Sequence, residues 1–210
     1  MTGSFFNPAP WGAFTAIMLA VVTAAYRQTK DKILGVAGLL LLVMLPAAWS
    51  RAALLAYGVC LAIMYWTYIK RYWKAVALCV PVAVISLYFI KQGSADSRAL
   101  MLIVSLRAWM ERFWLGVGAG GYLSALGEGQ AEYFTAYPGS AFIQSVGVAD
   151  MPFNEPIRMA VEQGFIGFAL FAVIMFLTAR RLWMRAHPMF YGLIALSVFS
   201  LFSYPFTIPS

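Results

Sequence analysis

Residues 156–179 read PIRMAVEQGFIGFALFAVIMFLTA, and this stretch decides the class of fold. A helix crosses the hydrocarbon of a bilayer with about 20 predominantly apolar residues, so this run is long enough to span it. A lone strand could not satisfy its backbone hydrogen bonds in lipid, which leaves helix as the expected state. The stretch therefore predicts an all-α integral membrane protein.

Five further apolar runs accompany this stretch along the chain. They are Trp11–Tyr26, Ile33–Trp49, Ala52–Ile69, Ala75–Ile90 and Met189–Tyr204. Of the 210 residues, 62% are hydrophobic and 11% are charged, whereas a soluble domain carries about 25% charged residues. We therefore expect about six transmembrane helices in a single polytopic membrane domain, residues 1–210, with the lipid bilayer as its solvent.

The basic residues indicate the orientation of the spans. The net charge is +7, but the basic residues fall in short clusters between apolar runs, which is a pattern of membrane topology and not of nucleic-acid binding. The clusters lie at residues 27–32, 70–74 and 180–185. The positive-inside rule places them in the cytoplasm. The Ser50-Arg51 connector and a large, partly helical loop of residues 91–155 are then extracytoplasmic.

Residue types that commonly bind metals are sparse. The single histidine, His187, lies in a basic connector, and Cys60 and Cys79 both lie inside apolar runs. No disulfide framework or metal-ligand spacing results. We expect no metal site and no cofactor.

Residues 97–114 of the loop have the pattern of an amphipathic helix. Arg98, Ser105 and Arg112 recur every seven residues, so they share one helix face. Arg98 and Arg112 are therefore candidates for binding phosphate. The alternative is a solvated stripe on a helix that lies along the membrane.

Two other arginines receive different interpretations. Arg107 points away from that face and has Glu111 four residues on, the spacing of an ordinary surface ion pair. Arg51 sits at the outer end of a two-residue hairpin between spans. It is a candidate anion site, and the alternative is an interfacial arginine that reaches lipid phosphates.

The glycine-rich run Gly116–Tyr122, GVGAGGY, formally matches a dinucleotide-binding fingerprint. No strand precedes it and it faces outward, so that match is weak. We interpret the run as a tight turn where the backbone approaches another segment or a ligand.

The start of the fifth span carries the most informative group of charges. Asn154 is a good N-cap, and Pro156 is tolerated in a first helical turn. Glu155, Arg158 and Glu162 follow at spacings of three and four, so they share one face. Glu162 would then lie about two turns, roughly 10 Å, into the span. Ionisable groups at such depth usually face a protein interior or a wet cavity, although a structural Arg158–Glu162 pair is the alternative.

Several of these motifs resemble the bacterial O-antigen ligase and polymerase superfamily. Ser50–Ala53 is similar to its Ser-Arg-small motif. Arg98, Trp109 and Leu115–Tyr122 resemble its outer loop, and Asn154–Gly167 resembles the segment that re-enters the membrane. The order of the motifs and the topology both agree, and the resemblance covers nearly the whole chain from the second span onward.

The resemblance implies an inner-membrane glycosyltransferase with a periplasmic loop. Members transfer a glycan from undecaprenyl pyrophosphate to an acceptor sugar or lipid-linked glycan, with inversion and without a metal ion. Outer-loop arginines hold the pyrophosphate in this family. The residues expected to bind substrate here are Arg51, Arg98, Arg112 and Asn154. Glu155 or Glu162 is expected to accept the proton of the acceptor hydroxyl or to orient Arg158.

The chain departs from the family pattern in two respects. Ligases typically carry a histidine just before the asparagine of the re-entry segment, and here that position is Phe153. Members also usually have ten or more spans, so we expect this chain to be the C-terminal part of a longer protein. Two other functions remain open: a transporter or channel with Glu162 and Arg158 lining the pathway, and an interaction subunit without activity.

Overall fold

The computed structural model describes residues 8–72, 93–140, 142–143 and 154–205. Within these ranges the protein is helical and contains no strand. The helices are α1 Pro8–Thr29, α2 Lys32–Ala47, α3 Arg51–Met64, α4 Trp66–Arg71, α5 Gly93–Glu111, α6 Tyr122–Ala136, α7 Glu155–Met184 and α8 Met189–Ser200. Two compact units form, one from residues 1–77 with 175–210 and the other from residues 78–174.

The prediction of an all-α protein is confirmed, whereas six spans stay a prediction. Among the described residues, α7 is the helix that is both long and apolar enough to cross a bilayer. Helices α2, α3 and α8 are apolar but have 16, 14 and 12 residues. The predicted fourth run, Ala75–Ile90, lies outside the described residues.

The first unit has a core built largely from small side chains. Helices α1, α3 and α8 pack together there, because alanines let helix backbones approach closely. The buried alanines of this core are Ala13, Ala16, Ala20, Ala24, Ala53, Ala56 and Ala195. Cys60 is buried among them as a free thiol, in line with its position in an apolar run.

The third apolar run, Ala52–Ile69, is divided between two helices in the structure. Helix α3 ends at Met64, and α4 begins after Tyr65. Arg27 Nη1 donates a hydrogen bond to the Met64 carbonyl at 2.8 Å, and its guanidinium lies 4.7 Å from the centre of the Tyr65 ring. A cation on the last carbonyls of α3 satisfies groups that a helix end leaves unpaired.

The second unit comprises α5, α6 and the first part of α7. Its core joins Leu100 and Val104 of α5 to Tyr122 and Leu126 of α6 and to Val161 of α7. The loop that the sequence predicts between two spans therefore has an apolar core of its own. Helix α5 starts earlier and ends earlier than the predicted helix of residues 97–114.

A candidate active site at the break in helix α7

Helix α7 is interrupted at Gly164, whose φ of 65° and ψ of −170° are not helical. The amide groups that follow the break turn away from their own helix. Phe165 N donates to the Phe113 carbonyl at 2.7 Å, and Ile166 N donates to the Trp114 carbonyl at 3.4 Å. In an unbroken helix both would donate to carbonyls four residues earlier.

The carbonyls four residues earlier, those of Val161 and Glu162, accept hydrogen bonds from the same segment as Phe113 and Trp114. Val117 N donates to the Val161 carbonyl and Gly118 N to the Glu162 carbonyl, both at 2.9 Å. Two intrahelical hydrogen bonds are thus replaced by four bonds to residues 113–118, which we call the glycine turn. Buried backbone groups must be paired, so this exchange is what makes the break stable.

Glycine is required on both sides of the contact. Gly116 has a φ of 71°, and a Cβ there would lie 2.5 Å from the carbonyl oxygens of Val161 and Glu162. A Cβ at Gly164 would overlap the Trp114 carbonyl. The prediction that the glycine run is a close backbone approach is therefore confirmed, and its partner is α7.

The break in α7 separates Glu162 from the apolar half of the helix. The predicted position, about two turns from the helix start, is confirmed, but the helix is interrupted two residues later. The half that follows, from Phe165 to Met184, is about 30 Å long at 1.5 Å per residue, close to the thickness of the hydrocarbon core. Glu155, Arg158 and Glu162 belong to the short half before the break.

These three charged residues form one bridged group. Arg158 Nε donates to Glu155 Oε2 at 2.8 Å, and Arg158 Nη1 donates to Glu162 Oε2 at 3.0 Å. Both glutamates are buried, whereas the arginine side chain keeps 18% of its surface exposed. The predicted common face is confirmed, but the predicted pair is a triad. Two carboxylates share one guanidinium, so the group carries a net charge of −1.

Asn154 fixes the start of this half-helix. Its Oδ1 accepts a hydrogen bond from Ile157 N at 3.0 Å, which is the N-cap predicted from the sequence. The cap sets the first turn, in which Glu155 is 1% exposed. The side-chain oxygen of Asn154 is therefore engaged by the backbone as a helix cap.

Tyr122 is a neighbour of the triad that no sequence motif identified. Its hydroxyl lies 2.9 Å from Ser105 Oγ in the core. Burial raises the pKa of Tyr122 above 10.0, the Ser105 hydrogen bond and the charge of Arg158 lower it, and the charge of Glu162 raises it. The phenol is therefore neutral at physiological pH and lies within electrostatic reach of both charges. Its position directly after the paired glycines was the available signal.

Arg98, Ser105 and Arg112, which recur every seven residues, have different surroundings in the structure. Ser105 is buried against Tyr122, and Arg98 is half-buried on the same face, about 10 Å along the helix axis. Arg112 lies one residue beyond the end of α5. It lines a cavity of about 420 Å³ between α5 and α6, together with Arg107 and Glu111. Arg112 therefore lies outside the helix that carries Arg98, and a phosphate-binding face shared by the two arginines stays a prediction.

Arg107 and Glu111 also differ from expectation. Both are described and exposed, yet they make no ion pair within 4.0 Å. Two glutamates of α6, Glu128 and Glu132, line the same cavity. This face is a charged groove of the loop, separate from the α5 face that carries Ser105.

Arg51 belongs to the first unit. It is the first residue of α3, directly after Ser50, whose Oγ accepts a hydrogen bond from Ala53 N at 3.3 Å as the N-cap. The Ser-Arg-Ala-Ala motif is therefore a helix start after a tight connector. An arginine in a helix first turn adds to the positive end of the helix dipole, which suits an anion.

A comparison with protein families gives one match. A family model described as O-antigen ligase matches residues 36–172, which is more than half of the chain. No curated protein and no solved structure matches the chain. The matched range includes all the candidate residues, from Arg51 through Glu162.

Proposed function

Because the chain belongs to the O-antigen ligase family of bacterial membrane glycosyltransferases, we propose that it moves a glycan from undecaprenyl pyrophosphate to an acceptor sugar or lipid-linked glycan. The reaction takes place at the periplasmic face of the inner membrane. The observation that carries the proposal is the Glu155–Arg158–Glu162 triad, buried just before the apolar half of α7. A polyprenyl donor keeps its tail in lipid, so its pyrophosphate lies at the membrane surface near such a position.

The proposed step is a direct displacement without a metal ion. The acceptor hydroxyl oxygen attacks the anomeric carbon opposite the pyrophosphate and forms the new glycosidic bond with inversion. The bond from that carbon to the pyrophosphate oxygen breaks, and its electron pair leaves with undecaprenyl pyrophosphate. The hydroxyl proton passes to a carboxylate acting as general base.

Glu162 is the carboxylate that we assign as the base. Its Oε2 accepts from Arg158, whereas its Oε1 makes no hydrogen bond with any residue that the structure describes. Glu155 is the more deeply buried of the two glutamates and holds Arg158 from the other side. Proton uptake by Glu162 would remove one of the two negative charges that share the Arg158 guanidinium.

The pyrophosphate requires fixed positive charge as it leaves. We assign this role to Arg98, with Arg158 contributing its Nη2 group, and the family resemblance extends the same role to Arg51. Guanidinium groups bind phosphate oxygens in a bidentate manner that an ammonium cannot reproduce. Arg112 and Asn154 are weaker candidates, because Arg112 lies on the charged groove and Asn154 caps α7.

Transport is the second candidate, and the helix break is the observation that favours it. Interrupted helices that expose backbone groups are common at the substrate sites of transporters. Here the freed groups are all engaged by the glycine turn, and the family is one of glycosyltransferases. Ion or solute flux without glycan transfer would identify the transporter.

Arg98→Ala should lower glycan transfer by about 100-fold or more, since loss of one charge stabiliser of a transition state costs that much. Arg107→Ala is the matched control, because it removes an arginine from the opposite face of the same helix. It should retain most of the activity. Arg98→Lys should also be impaired, because it keeps the charge but loses the bidentate geometry.

The measurement is the initial rate of glycan transfer by each variant, with saturating acceptor and at equal membrane abundance. Equal losses for the two alanine variants would remove Arg98 from the site. Full activity of Arg98→Ala would do the same.

A further inference from the structure

An exposed apolar patch lies where the glycine turn meets α7. Trp114 and Leu115 are 62% and 77% exposed, although both are large and apolar. Met110, Phe165 and Ile166 are exposed on either side of them. Contiguous patches of large apolar side chains indicate an interaction surface.

The patch is held rigidly and is not a loose loop tip. The Trp114 ring lies 5.9 Å from the Phe165 ring in an edge-on contact, and Phe113 lies 5.1 Å from Trp114 and 5.3 Å from Phe165. The backbone bonds of Phe165 and Ile166 to this turn tie the same residues together. The structure therefore fixes the exposed side chains at the first turn of the apolar half of α7.

This position identifies the partner. The exposed side chains of that half continue from the patch along α7 as Leu170, Val173 and Ile174, and a spanning helix presents such residues to lipid tails. The patch is continuous with this surface at the end where the span begins. Tryptophan is enriched at that depth, because its ring is apolar and its N–H needs a polar partner.

We propose that Trp114 and Leu115 insert into the interfacial layer of the bilayer and anchor the loop to the membrane. The occupant of the patch is lipid, at the boundary between headgroups and hydrocarbon. Arg112, exposed two residues before Trp114, reaches the lipid phosphates with its long side chain. The anchor sets the depth of the helix break, and through the Gly118–Glu162 backbone bond it sets the depth of Glu162. This inference does not depend on the proposed reaction.

Spin labels on single cysteines test the anchor in the full-length protein reconstituted in lipid nanodiscs. The background replaces Cys60 and Cys79 with alanine. Leu115→Cys is the test position, and its exposed side chain makes the substitution mild for folding. Ile174→Cys, exposed on the apolar half of α7, is the lipid control, and Glu132→Cys, on the charged groove, is the water control.

The measurement is the accessibility of each label to oxygen, which concentrates in lipid, and to a water-soluble nickel chelate. The label at residue 115 should show a severalfold higher oxygen-to-nickel ratio than the label at 132, and a ratio below that at 174. A ratio equal to that at 132 would place the turn in water and overturn the anchor. A label shielded from both reagents would mean that protein covers the patch, which also overturns it. Glycan transfer is not scored, so neither result bears on the reaction.

Discussion

Glu162→Gln should lower glycan transfer by about 100-fold or more while the protein inserts and folds normally, since a positioned general base contributes about 10²–10⁴-fold. The amide oxygen can still accept a hydrogen bond from Arg158. The substitution leaves one carboxylate and one guanidinium, a neutral Arg158–Glu155 pair. Stability is therefore preserved, but the proton acceptor is gone.

Glu155→Gln is the matched control for this prediction. It also leaves a neutral pair, between Arg158 and Glu162, and it changes the same atoms. It should keep activity within about tenfold of the unmodified protein, because Glu155 only positions Arg158. The measurement is the rate of transfer at equal membrane abundance. The reverse order of the two variants would make Glu155 the base, and full activity in both would remove the carboxylates from the reaction.

Because Glu155 and Glu162 share the Arg158 guanidinium, a variant that replaces Arg158 and Glu162 together would give an ambiguous result. Replacing Arg158 and Glu162 together with apolar residues would take the Arg158 bond from Glu155, which is 1% exposed. Loss of one hydrogen bond to a buried charged group typically costs about 1.5–3 kcal/mol. Loss of activity in that variant could then follow from misfolding alone, whereas the single amides separate chemistry from stability.

Gly164→Ala should destabilise the protein by several kcal/mol. The φ and ψ of Gly164 lie in a region that is essentially restricted to glycine, where strain costs about 1–3 kcal/mol. The new Cβ would overlap the Trp114 carbonyl, so the four backbone bonds of the exchange could not all form. Each lost hydrogen bond contributes about 1 kcal/mol. Glycan transfer should fall as well, because Glu162 is positioned by the same contact.

Gly127→Ala provides the matched control for backbone effects. Gly127 lies within α6, and a Cβ there would meet no atom within 4 Å. Alanine is the better helix former by about 0.5–1 kcal/mol, so the control should be neutral or slightly stabilising. The midpoint of thermal unfolding in detergent measures both variants. An unchanged midpoint for Gly164→Ala would mean that α7 readily becomes a continuous helix and that the exchange is unimportant.

Local patterns in the sequence were sufficient to predict most of the helices and one helix N-cap. Apolar runs give α2 and α8 to within a few residues at their starts, and the Asn154 cap follows from residue type alone. The common face of Glu155, Arg158 and Glu162 also follows from helical spacing. These features depend on neighbours within one or two turns, which a sequence displays directly.

The break in α7 could not be predicted in this way. Gly164 lies in an apolar run, where the sequence indicates only a close contact between helices. Its positive φ depends on contact with carbonyls some fifty residues earlier in the chain. Those contacts are between backbone atoms, so no pattern of side chains in the sequence predicts them. The end of α5 could not be predicted for the same reason: the helix stops at Glu111, and the carbonyls of Phe113 and Trp114 accept hydrogen bonds from α7.

The most direct test is of the reaction itself. The measurement is the release of undecaprenyl pyrophosphate by the purified full-length protein in liposomes, with an undecaprenyl pyrophosphate-linked glycan as donor, an acceptor glycan, and EDTA present. The proposed reaction releases one undecaprenyl pyrophosphate for each inverted glycosidic bond formed, and its rate should fall by about 100-fold or more in Glu162→Gln. Donor that stays intact under these conditions, or transfer that proceeds at the same rate in Glu162→Gln, would contradict it.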